Sequence, residues 1–113
     1  MKLKSGDMLF MNIENGEMTL QIIGRDDVPR VEKEGHGWSD GAKAILDGAD
    51  VADLLYVVDC ESGGGEIRDT GLSVKFRHGV IVLSVDGHSA KLSWPEKELL
   101  LYAIQNRAWR LFT

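Results

Sequence analysis

Three dipeptides, Asn15-Gly16, His78-Gly79 and Asp86-Gly87, constrain this chain more than anything else in it. Each lies between two runs in which apolar and polar residues alternate. A two-residue type I′ loop needs positive φ at both central positions, which glycine, Asn, Asp and, less readily, His accept. Each dipeptide therefore predicts a tight hairpin, and a hairpin this tight dictates which residues face each other. Outward from Asn15-Gly16, Ile13 meets Met18, Met11 meets Leu20 and Leu9 meets Ile22, so six apolar residues share one face. A one-residue slip would break that match, so the register is well specified. Glu14 opposite Glu17 is a small like-charge cost beside the turn.

The other two dipeptides join Leu72–Arg77, Val80–Val85 and His88–Ser93 into a three-stranded meander. Leu72, Val74 and Phe76 then lie beside Ile81, Leu83 and Val85, which lie beside Ala90 and Leu92. Lys75, Arg77, Ser84 and Lys91 take the opposite face, giving a sheet apolar on one side. After the meander, Ser93 and Glu96 have capping-box spacing and Pro95 is tolerated in a first turn. This predicts a helix from about Trp94 to Arg110, with Leu100, Ala103, Ile104, Ala108 and Leu111 as its main stripe. Leu99, Leu101, Tyr102 and Trp109 widen the apolar surface, so the helix is either well buried or shared with a partner.

The middle of the chain is less definite. Gly24 to Gly37 reads as a polar loop, with room for a short edge strand near Pro29–Val31. Ser39 can cap a helix carrying Asp40 in its first turn, with Ala42, Ile45, Leu46 and Ala49 at helical spacing. Gly48 would end that helix and Asp50 cap another, with Val51, Leu54, Leu55 and Val58 on one stripe. Leu54–Cys60 is also rich in strand formers, so a strand there is the alternative.

These elements predict one α+β domain over residues 1–113. The N-terminal hairpin and C-terminal meander form one antiparallel sheet or two small ones, covered by a central helical segment and a C-terminal helix. Gly63–Gly65 serves as the internal joint. The apolar fraction of 43% is enough for a core of ordinary size.

Charge narrows the functional classes. The net charge is −5, with residues 39–69 at −6 and residues 70–113 at +3. An acidic chain without a basic cluster is not expected to bind nucleic acid directly. The N-terminus lacks the apolar core of a signal peptide, and the longest apolar runs, Leu54–Val58 and Leu99–Ile104, fall far short of a membrane span of about 20 residues. A single cysteine forms no internal disulfide. The expectation is a cytoplasmic protein that meets no membrane.

The candidate chemistry is sparse. Cys60 is flanked by Asp59 and Glu61, which favour the protonated thiol over a nucleophilic thiolate. Gly63–Gly65 resembles a phosphate cradle in composition alone; it lacks the following lysine, and Glu61, Glu66 and Asp69 would repel an anion. His36, His78 and His88 show no metal-ligand spacing. No cofactor or metal is expected, and no catalytic residue is assigned.

What remains is binding. Asp47, Asp50 and Asp53 form an acidic surface within residues 40–69 that would suit a basic partner. Trp109, Arg110 and Phe112 put aromatic and cationic residues at the C-terminus, the types enriched at interfaces, where the last helix could also pair two copies. The sequence therefore reads as a small non-enzymatic accessory protein acting through a protein surface, of the kind carried by mobile genetic elements. Two alternatives stand beside it. His36 and Trp38, in the glycine-flanked loop Gly35–Gly41, could converge with Cys60 on a small-ligand or enzymatic site. More distantly, the acidic surface could mimic nucleic acid.

Overall fold

The computed structural model describes residues 1–29, 42–60 and 64–112, with Cys60 and Trp109 described in their backbone alone. The fold is α+β, with an N-terminal hairpin and a C-terminal meander in separate antiparallel sheets. β1 (Met8–Glu14), β2 (Glu17–Ile23) and β3 (Ala42–Leu46) make the first, in that order. β4 (Gly65–Glu66), β5 (Leu72–Arg77), β6 (Val80–Val85) and β7 (His88–Leu92) make the second. Helix α1 (Gly48–Cys60) connects the sheets, and helix α2 (Trp94–Gln105) follows the meander.

All three turns take the conformation their residues predict. Positive φ values of 52° and 79° at Asn15 and Gly16, 49° and 77° at His78 and Gly79, and 47° and 83° at Asp86 and Gly87 define three type I′ loops. The registers follow from them: Ile13 opposes Met18 and Leu9 opposes Ile22 in β1–β2, while Val74 opposes Leu83 and Leu83 opposes Ala90 in the meander. One apolar core joins the inner faces of both sheets to both helices.

The Ser39-capped helix carrying Ala42, Ile45, Leu46 and Ala49 does not form as predicted. Ser39 lies outside the described residues, and Ala42–Leu46 is a strand paired with β2. The same residues satisfy both periods. Ala42, Ala44 and Leu46 are buried at period two, whereas Ile45 points outward and is 59% exposed. The apolar face of β2 extends onto a third strand, and this tertiary pairing overrides local spacing.

Gly48 accordingly begins a helix rather than ending one. Asp47 is its cap: the Asp50 N–H donates to Asp47 Oδ1 at 2.9 Å, and the Asp47 N–H donates to Asp50 Oδ2 at 3.1 Å. The helix that this reciprocal pair starts runs through Leu54–Cys60, which is therefore helix and not strand, with Leu54 and Val58 buried and Val51 and Leu55 packed beside them. At its far end the chain returns through Gly64, whose φ is +72°. A Cβ there would collide with the Val74 carbonyl, so this glycine permits a close backbone approach to β5.

Helix α2 stops five residues earlier than predicted. The Ala108 N–H donates to the Ala103 carbonyl at 2.8 Å and the Arg107 N–H to Ile104 at 3.4 Å, with Arg107 at φ +54°. This is a Schellman ending with arginine where glycine is usual, so nothing in the sequence advertised it. The chain then turns through a 3-10 segment, Trp109–Phe112, which carries Phe112 fully into the core against β1.

Two carboxylates tie residues 1–7 to this frame. Glu96 completes the predicted capping box with Ser93 and also accepts the Lys4 N–H at 2.9 Å. Asp7, only 6% exposed, accepts the backbone N–H groups of Arg25 at 2.8 Å and Lys91 at 3.0 Å, and the Ser5 hydroxyl at 2.7 Å.

Candidate functional site

The meander has two faces, and folding accounts for one of them. Its inner residues fill the core. Its outer face is laid out by register in rows across the strands. Ser73, Ser84 and Ser89 form one row, with the Ser84 and Ser89 hydroxyls 2.9 Å apart. Lys75, Val82 and Lys91 form the next, and Arg77 with Val80 the third.

Adjacent strands lie about 4.8 Å apart and alternate residues along a strand about 7 Å. Two lysines therefore flank Val82 with backbones about 10 Å apart, and Arg77 lies about 7 Å beyond Lys75. Together with His78, Val80, Ser84 and Ser89 these residues line a shallow groove of about 520 Å³ that no carboxylate lines. Among the described strands, the register puts one carboxylate on this face, Glu66 opposite Ser73, at its rim. Three of the six Lys and Arg residues in 70–113 thus surround two half-buried valines. The alternation in Leu72–Leu92 already contained this face; it was legible as the surface side of a sheet, with nothing local to mark it as a site.

The acidic residues singled out from sequence do come together, at the start of α1. Asp47 and Asp50 are engaged with each other's backbone, and Asp53 lies 3.6 Å from the Arg68 guanidinium. The Asp47 carboxyl is held below its ordinary value, chiefly by the Asp50 N–H, with Ala49 and the Arg68 charge adding to it and partial desolvation opposing. This arrangement explains the aspartates by helix initiation, where carboxylates suit the positive end of the dipole.

The C-terminal aromatics divide. Phe112 is fully buried and serves the core, which corrects its expected place on an interaction surface. Arg110 is exposed, and the Trp109 side chain lies outside the described residues. Helix α2 nevertheless shows Trp94 at 51% and Tyr102 at 55% exposure, with the Lys97 ammonium 3.3 Å from the centre of the Trp94 ring. Neither Trp94 nor Tyr102 is among the predicted site residues, although Tyr102 belongs to the helix's broad apolar surface.

His36 and Trp38 lie outside the described residues, as does the Cys60 side chain, so the small-ligand site is not seen. His88 pairs with Asp27 at 3.6 Å. Among the described residues no group of three or more His, Cys, Asp or Glu is placed to hold a metal, and no helix is long and apolar enough to cross a membrane. No family model, curated protein or solved structure matches the chain.

Proposed function

We propose that this is a non-enzymatic accessory protein that binds another protein through the outer face of the meander. The observation that carries the reading is the row Lys75–Val82–Lys91 beside Arg77–Val80. Apolar surface ringed by charge is the make-up of a docking face, and the core makes no use of these side chains. Two tight turns, His78-Gly79 and Asp86-Gly87, hold the strands that present it, so little ordering would be lost on binding. The acidic surface and the C-terminus, the two surfaces expected from sequence, offer less. Asp47, Asp50 and Asp53 already serve α1 and Arg68, and Phe112 serves the core. The lone cysteine and the acidic balance suit action in the cytoplasm.

Exposure of Trp94 and Tyr102 supports a second reading, in which α2 pairs two copies of the chain. Photo-crosslinking side chains installed singly at Val82, Asp53 and Tyr102, in the cells that make the protein, separate these surfaces. The proposal expects protein adducts at Val82 in excess of the other two. Adducts of the chain with itself at Tyr102 would favour the homodimer. Adducts concentrated at Asp53 would restore the acidic surface, and none at any position would overturn the binding reading.

A further inference from the structure

We infer that the partner presents an acidic, partly apolar protein segment to the outer face of the meander. This rests on the reading of that face as the binding surface and goes on to name what it binds. The argument is charge complementarity, resolved to individual residues. Lys75, Lys91 and Arg77 surround Val82 and Val80, and no carboxylate lines the groove they share. A neutral segment would leave three cations partly desolvated without partners. An acidic one gives each a carboxylate while its apolar residues cover the valines.

The remainder of the chain sharpens this. The net charge is −5 although this face is positive, so an acidic partner is repelled elsewhere and attracted here. Such a field selects the orientation of encounter as well as its rate. The same charges oppose pairing of two meander faces with each other, so a second copy in that arrangement is not the occupant. Nucleic acid is a poorer match. Of the residues lining the groove only His78 carries a ring on which a base could stack, whereas single-strand binders line up several.

The spacing also limits the segment. With cations about 7 Å apart along β5 and about 10 Å apart across the strands, carboxylates must be separated by intervening residues rather than clustered. The fitting probe alternates Glu with Leu and Ser.

The test measures binding of the full chain to four probes. They are a synthetic Glu/Leu/Ser peptide, the same peptide with Gln for every Glu, oligo-dT, and phosphatidylcholine vesicles containing phosphatidylserine. The Glu peptide is expected to bind about tenfold more tightly than the Gln peptide, the ~1.4 kcal/mol that three exposed ion pairs of about 0.5 kcal/mol each supply. Its affinity should fall steeply between about 0.05 M and about 0.5 M salt as screening shortens. The variant K75E/R77E/K91E should lose the same factor or more. Circular dichroism establishes that it is folded, and K75Q/R77Q/K91Q carries the same test if it is not.

Equal affinity for the two peptides would overturn the acidic partner. Tighter binding of oligo-dT or of the vesicles than of the Glu peptide would overturn it in favour of a phosphate-bearing ligand, and no binding of any probe would overturn it outright. A partner crosslinked at Val82 that has no acidic segment would sink this inference while leaving the binding function standing.

Discussion

The carboxylate of Asp7 accepts the backbone N–H of Lys91, 84 residues further along the chain, at 3.0 Å. The Ser5 hydroxyl lies 3.1 Å from the carbonyl of the same residue. Side chains from one short segment thus meet both backbone groups of Lys91 on an outermost strand, which would otherwise offer them to another chain.

Replacing Asp7 by Ala removes the acceptor for the Arg25 and Lys91 N–H groups together. Hydrogen bonds to a charged acceptor contribute about 1.5–3 kcal/mol each, and water entering the vacated site offsets part of the loss. Chemical denaturation should show Asp7→Ala less stable by about 3 kcal/mol, with Asp7→Asn intermediate. A loss under about 1 kcal/mol would mean that the carboxylate does not organise this edge.

Gly64 and Gly79 both have positive φ, at 72° and 77°, and differ in what surrounds them. A Cβ at Gly79 meets nothing within 4 Å, while one at Gly64 runs into the Val74 carbonyl. Gly79→Ala should therefore cost about 1–2 kcal/mol, the left-handed penalty alone. Gly64→Ala should cost more, because backbone must also move. Equal losses in thermal unfolding would refute the close approach.

Arg107 occupies a left-handed position at the end of α2 without side-chain help from a glycine's freedom. Arg107→Gly relieves about 1–2 kcal/mol of backbone strain and adds about 0.5–1 kcal/mol of unfolded-state entropy. The net expectation is a gain of up to about 1.5 kcal/mol, visible as a raised thermal midpoint. Arg107→Ala keeps the strain and should give no such gain.

The Asp47 carboxyl carries a pH signature. Its value in the folded protein lies below the ordinary 3.8, chiefly through the Asp50 N–H. A depressed carboxyl contributes stability that is complete above its unfolded value and drains away as pH falls through the folded one. The stability difference between the wild type and Asp47→Asn should be constant from neutral pH to somewhat above 4 and shrink below it. A difference that grows on acidification would reverse the sign of this assignment.

The hairpins were legible because both their turn residues and their flanking alternation are local. Asn15-Gly16, His78-Gly79 and Asp86-Gly87 determined the registers, and Ser93 with Glu96 determined the start of α2. What escaped was decided at a distance. Ala42–Leu46 fits helix and strand equally until β2 is there to pair with. Arg107 ends a helix without the residue that usually ends one, and Asp7 finds its donors at Arg25 and Lys91. The site divides in the same way: the alternation put Lys75, Arg77 and Lys91 on one face and the turns implied their pairing with Val82 and Val80, but nothing local marked that face as a site. Asp50 reads locally as a helix cap, but the cap is Asp47, with Asp50 bonded back to it, because the preceding residues form a strand and the helix starts at Gly48.

The bond from Lys4 to Glu96 spans 92 residues. A chain leaving the ribosome at about 5–20 residues per second exposes its first hairpin several seconds before Glu96 exists. Through that interval Leu9, Met11, Leu20 and Ile22 have no meander or second helix to pack on. Closure must wait for the last third of the sequence, so this fold should complete late, in a step limited by its most distant contacts.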